Sequence, residues 1–400
     1  MSKTANPDWR EATRLVHAGD SPDARLGAAA RGVNPAVQRA STVLLPDAAS
    51  LYSSDMRSYG RTGLGVQASL EAAICELEHG SGAAVFSSGA AAITAALMAV
   101  LSAGDEVLVS AGVYAPTRRF CNGILKRFGV VTRYFSPRAT ADEVMALASP
   151  NTRAVMLESP ASLTFEFQDI PAICAAARAR GIVSLIDNTW GASVLFKPLD
   201  AGIDLSIQAL TKYASGGSDV FMGSVATRDP VHGAAVREIM QDTGWAVSPD
   251  DCYTVLRSLR TLPLRMARHG ASALQVAQWL EQQPEVAQVL CPALPGSPDH
   301  EIWKRDYSGL NGLFGVVLKS GSVKAASAFL DGLSLFGLGF SWGGFESLAV
   351  LGDPQVRNPG RGWSASGALM RLHIGLEDPH DLIADLRTGL DAFAAACEEP

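Results

Sequence analysis

Two residues define the chemistry open to this chain. Asp187 lies in Ile186-Asp187-Asn188-Thr189-Trp190, directly after an apolar run. A carboxylate at a buried strand end resists ionisation unless a cation meets it, and a protonated pyridine nitrogen is a suitable one. On its own, an Asp there more often simply caps the following helix or turn. Lys212 lies in Gln208-Ala209-Leu210-Thr211-Lys212, and it alone of the seven lysines follows such a run in the alternating part of the chain. A desolvated lysine can lose its proton and attack an aldehyde, whereas a lone lysine at a strand end is ordinarily a surface group. The two residues are 25 positions apart. Adjacent strand ends would present both to one aromatic ring.

Other residues extend that site. Ser87-Ser88-Gly89-Ala90 separates an apolar run from a helical pattern. Small residues there let a phosphate approach the backbone, and a helix N-terminus offers it free N–H groups. The same turn is common in any α/β sheet. Thr211 would add a hydroxyl to that phosphate. Tyr114, in a loop, can stack on a ring or be an ordinary half-buried tyrosine. Tyr59-Gly60-Arg61 makes a phosphate clamp or a solvated loop. Arg371, with no acidic neighbour before Glu377, suits a substrate carboxylate or a structural ion pair. His373 reads as packing.

The elements that must position these groups follow from hydrophobic periodicity. Short apolar runs fall at 83–86, 106–109, 154–157, 182–186, 205–207 and 220–225, with helical patterns such as 67–77 and 170–179 between most of them. Short buried strands alternating with helices give an α/β fold with a mostly parallel sheet, whose ligands bind beyond the strands' carboxyl ends. After about residue 257 the texture changes to a long helical segment at 263–282, a strand-like run at 313–318 and a closing amphipathic helix from Asp378. The expected division is an irregular N-terminal arm at 1–62, a cofactor-binding domain at 63–258 and a smaller α+β C-terminal domain at 259–400.

Composition narrows the partners. The chain is 48% hydrophobic and 18% charged, with a net charge of −7 and no basic block, which disfavours nucleic acid and anionic membrane. The uncharged stretch 82–104 is alanine-rich and broken by Ser87-Ser88-Gly89, so strand, turn and buried helix are expected rather than a membrane span. Six scattered cysteines without C-x-x-C spacing suggest a reduced, cytoplasmic protein with no metal site. The first residues carry no apolar signal segment. A nucleotide-dependent dehydrogenase lacks its G-x-G-x-x-G fingerprint here.

Together these motifs resemble the Cys/Met-metabolism family of pyridoxal-phosphate (PLP) enzymes, from about Thr13 to the end, and within it the cystathionine β-lyase branch. The resemblance rests on Tyr59-Gly-Arg61, Tyr114, Leu157-Glu-Ser-Pro160, Ile186-Asp-Asn-Thr-Trp190, Gln208-Ala-Leu-Thr-Lys212, Ser341-Trp-Gly-Gly344 and Arg371-Leu-His-Ile-Gly-Leu-Glu-Asp378. It implies a fold-type-I PLP enzyme, homotetrameric as a dimer of dimers. Lys212 would bind the cofactor as a Schiff base and act with Tyr114 in catalysis. Asp187 would pair with the pyridine nitrogen, and Tyr114 would stack on the ring. Ser88, Gly89, Ala90, Thr189 and Thr211 would join the cofactor site, with Tyr59 and Arg61 reaching in from a neighbouring subunit. Ser341, Trp342 and Arg371 would bind a thioether amino acid.

The implied reaction is α,β-elimination of cystathionine to homocysteine, pyruvate and ammonia, in the service of methionine biosynthesis. Ala209 and Trp342 favour it, since related γ-lyases and γ-synthases tend to carry Ser and Leu there. Gly217, Leu64-Gly65 and the absence of a tyrosine near Met240 depart from the common pattern. A broader cystine or cysteine-S-conjugate β-lyase, a γ-lyase or γ-synthase, and a catalytically silent regulatory relative are the alternatives.

Overall fold

The computed structural model describes residues 9–19, 32–52, 57–356 and 363–398. Seven strands form the larger sheet: β1 (Gly82–Phe86), β2 (Glu106–Ser110), β3 (Val131–Phe135), β4 (Thr152–Glu158), β5 (Val183–Asp187), β6 (Leu205–Gln208) and β7 (Gly223–Thr227). Their order is β1-β7-β6-β5-β4-β2-β3, and only β7 runs antiparallel to its neighbours. Along β4, Ala154 and Met156 join one buried cluster while Val155 and Leu157 join another. Side chains alternate across a strand, so both sheet faces are covered. One face packs on the helices Gly89–Val100 and Pro230–Thr243, the other on Gly65–Glu78 and Ile170–Arg178.

The turn after β1 shows how local sequence builds the site. Ser88 has extended backbone angles, and its Oγ accepts a 3.1 Å hydrogen bond from Ala91 N, capping the helix Gly89–Val100. The uncharged stretch 82–104 is therefore strand, turn and helix as expected. Among the described residues no helix is long and apolar enough to cross a membrane. All six cysteines are free.

A second, five-stranded sheet lies in the C-terminal part: β8 (Val286–Leu290), β9 (Leu313–Leu318), β10 (Gly337–Leu338), β11 (Leu348–Leu351) and β12 (Leu369–His373), ordered β10-β11-β12-β9-β8. The helices Leu262–Leu280, Val323–Asp331 and Pro379–Glu398 accompany it.

Several features depart from the sequence expectation. Strand β3 gave no apolar run because it is the sheet edge, where Val131 and Arg133 are exposed. Arg371 sits in the middle of β12, a strand that the apolar runs did not mark. The arm is not wholly irregular: Glu11–His17 is helical with Leu15 buried, and Arg39 pairs with Asp250 at 2.5 Å.

Candidate active site

Strands β5 and β6 are neighbours, with Asp187 opposite Ile207. Their carboxyl ends therefore bring Asp187 and the Gln208–Lys212 segment side by side, as the spacing required. Asp187 is 8% exposed, and its Oδ1 accepts from Thr189 N at 3.0 Å and Thr189 Oγ1 at 2.5 Å. The same hydroxyl accepts from Ala209 N at 2.8 Å, so Thr189 ties the carboxylate to the segment carrying Lys212. Burial pushes the Asp187 pKa up, while Thr189 and the charge of Lys212 oppose that rise.

Lys212 Nζ donates to Ser341 Oγ at 2.9 Å and lies 5.3 Å from the centre of the Trp342 ring. Burial, reinforced by the charge of Arg371 and opposed by Asp187, lowers its pKa to about 8. Arg371, 6% exposed, donates to the carbonyls of Gly339, Phe340 and Ser341 at 2.9–3.0 Å. Its Nε is buried without a partner, and among the described residues no carboxylate forms an ion pair with it. Burial brings its pKa down to about 10. The structural ion pair is thereby set aside, and an N–H donor is left for an incoming anion.

The Ser88–Ala90 turn sits against this segment. A Cβ on Gly89 would fall 2.6 Å from Ala209 Cβ, and one on Gly223 would collide with the Ser88 carbonyl. Glycine at both positions allows the tip of β1 to pack on the tip of β6 across the start of β7. The N–H groups of Gly89 and Ala90 begin the helix Gly89–Val100 and have no acceptor among the described residues. Thr211 is engaged otherwise: its Oγ1 donates to Met222 O at 3.1 Å and accepts from Met222 N at 2.9 Å. Its hydroxyl proton is thus committed to the backbone.

Tyr114, 44% exposed, has a pKa raised by burial and by the charges of Asp187 and Glu158. Its backbone N–H donates to the Glu158 carboxylate at 2.6 Å. Arg61 donates to Gln241 O at 2.6 Å and lies 5.6 Å from the Tyr59 ring.

Lys212, Asp187, Ser341, Trp342, Arg371 and Tyr114 thus converge, and the helix N-terminus at Gly89 lies against the Lys212 segment. These residues fit PLP. The buried, cation-poor Asp187 matches a pyridinium, the amine near pKa 8 an aldehyde, and the two orphan N–H groups a phosphate. Two contributors lacked an assigned role. Glu158 ends the apolar run 154–157 just as Asp187 ends 182–186, so the same signal identifies it. His373 gave no signal beyond packing.

The family model for Cys/Met metabolism PLP-dependent enzymes matches residues 12–391. The chain is 45% identical to the cystathionine beta-lyase MetC of Escherichia coli over 390 residues, covering 94% of this chain and 97% of that protein. It is 44% identical to a putative cystathionine beta-lyase of Rhizobium johnstonii, covering 96% of each. The crystal structure of metB from Corynebacterium glutamicum superposes with a TM-score of 0.89 at 28% identity, covering 96% of this chain and 98% of that one.

Proposed function

The chain belongs to the Cys/Met-metabolism PLP-dependent enzymes, and from that premise we propose that it is a carbon–sulfur β-lyase cleaving cystathionine to homocysteine, pyruvate and ammonia. The fold is the fold-type-I PLP enzyme architecture. The observation that carries the reading is the amine of Lys212, near enough to Asp187 and Arg371 to feel both charges and bonded to Ser341 beside Trp342.

In this reading Lys212 holds the aldehyde carbon of PLP, Asp187 its ring nitrogen and Tyr114 its ring face. Ser88, Gly89 and Ala90 hold its phosphate from the helix end, and Thr211 shapes that pocket through Met222. Thr189 orients Asp187, while Tyr59 and Arg61 come from a neighbouring subunit of a homotetramer in the cytoplasm. When bound, PLP supplies the carbonyl for the substrate amine and an electron-accepting ring.

The remaining work is done by this chain's side chains. Arg371 takes the substrate α-carboxylate on its free donors, fixing the amino acid by one end. Once the substrate amine has displaced it from the cofactor, the Lys212 amine, with a pKa brought down to about 8, would remove the Cα proton with Tyr114 beside it, and Ser341 would hold it in reach. Asp187 stays ionised against the ring nitrogen and keeps it protonated. As the Cβ–S bond breaks, its electron pair leaves with sulfur, and the Lys212 ammonium returns a proton there. The three-carbon fragment then takes up water to give pyruvate and ammonia.

Ala209 and Trp342 support β- over γ-elimination. Ala209 packs on Gly89, where even a Cβ would fall 2.6 Å from Ala209 Cβ, and Trp342 lies 5.3 Å from the Lys212 amine. Steady-state assays on cystathionine, cystine and methionine test the reading. The highest kcat/KM is expected on cystathionine with pyruvate as product, and dominant methionine γ-elimination would refute it.

A further inference from the structure

We propose that His373 is a positioning residue for the amine of Lys212, acting through the loop Gly339–Gly344; this rests on the reading that Lys212 performs the proton transfers.

His373 is fully buried at the end of β12 and shares a strand face with Arg371, two residues earlier. The two side chains grip one loop from opposite ends. Arg371 donates to the carbonyls of Gly339, Phe340 and Ser341, while His373 Nε2 lies 3.1 Å from Gly343 N and 3.2 Å from Gly344 O. One ring nitrogen cannot serve both. The Gly343 N–H is directed at Nε2 and is buried with no other acceptor among the described residues. His373 Nε2 is therefore the acceptor, and its proton resides on Nδ1.

That Nδ1 is buried without a partner, wedged beside Gly312, where a Cβ would approach it to 3.1 Å. The bond to Gly343 is thus made at the cost of an unpaired donor on Nδ1. The loop it holds also touches the Lys212 backbone. Gly343 has φ of +87°, and a Cβ on it would lie 2.7 Å from Tyr213 N and 2.9 Å from Lys212 C. One and two residues before it are Trp342, against the Lys212 amine, and Ser341, which accepts from that amine. Movement of Gly343 would therefore reach Lys212 along both backbone and side chain. The charged or titratable groups facing this cluster are Asp187, Arg371, Tyr114, Tyr213 and His269.

Holoenzyme carrying His373→Gln, His373→Leu or His373→Met tests this, since glutamine Oε1 can replace Nε2 as acceptor and the other two cannot. Hydrogen exchange followed by mass spectrometry reads the loop directly. In the Leu or Met variant the peptide spanning 340–346 should exchange about tenfold faster, the effect of losing one buried hydrogen bond, with β9 and the helix Gly89–Val100 unchanged. The acid limb of kcat should move up by about half a unit or more, because a loosened loop rehydrates the amine. Glutamine should restore both readouts. Unchanged protection and an unchanged limb in Leu and Met, or equal loss in Gln, overturns the proposal. So does failure of Leu and Met to fold when Gln folds, which assigns His373 to stability alone. An inactive wild type would instead refute the lyase reading, leaving the exchange result interpretable by itself.

Discussion

The Lys212 amine and the Ser341 hydroxyl are joined at 2.9 Å across 129 residues of chain, linking the carboxyl end of β6 to the loop gripped by β12. The reactive group of the larger sheet is thus aimed by the smaller one. Its pKa, about 8, reflects the burial that this arrangement imposes.

Removing the acceptor tests that link. Ser341→Ala leaves the amine in place but free to rotate. kcat/KM on cystathionine should fall about ten- to a hundredfold, the range for losing a hydrogen bond to a charged group. Cofactor content, read from visible absorbance, should stay near one per chain.

The charge of Asp187 matters separately from its shape. Asp187→Asn keeps an acceptor for Thr189 N but loses the anion that would hold a ring nitrogen protonated. kcat should drop by about 10²–10³, comparable to deleting one oriented electrostatic group. Cofactor affinity, measured by titrating stripped protein, should weaken as well.

Lys212 should titrate apart from the other lysines. In cofactor-stripped protein its acylation rate, followed by peptide mass spectrometry, should rise with pH through about 8 and then level, because burial favours the neutral amine. An ordinary lysine would keep rising toward pH 10.5. In Asp187→Asn the midpoint should move lower, since Asp187 is the one group acting to raise it.

Gly89 is a steric test of the phosphate cradle. Gly89→Val places a branched side chain where even a Cβ would lie 2.6 Å from Ala209 Cβ. The turn must shift, so cofactor retention on dialysis should fall well before thermal stability does. Equal loss of both would count against a cradle there.

Much of this was legible in the sequence because strand ends are local. Asp187 and Lys212 each close an apolar run, and a parallel sheet makes adjacent run ends converge. The Ser87-Ser88-Gly89 break marked the turn between strand and helix by composition alone. The rest depended on tertiary contact. Thr211 Oγ1 meets Met222 O and N, partners 11 residues away on a returning segment that no local pattern announces. Edge strand β3 carried no apolar run because half its side chains face outward. His373 looked like core because its polar neighbours, Gly343 N and Gly344 O, lie 30 and 29 residues back in a loop without periodicity.

Borohydride reduction of the purified holoprotein, followed by peptide mapping, tests the central claim most directly. The cofactor mass should be fixed to the peptide containing Lys212 and to none of the six other lysines. Its appearance on another lysine, or a protein that neither carries nor takes up the cofactor, would contradict the account.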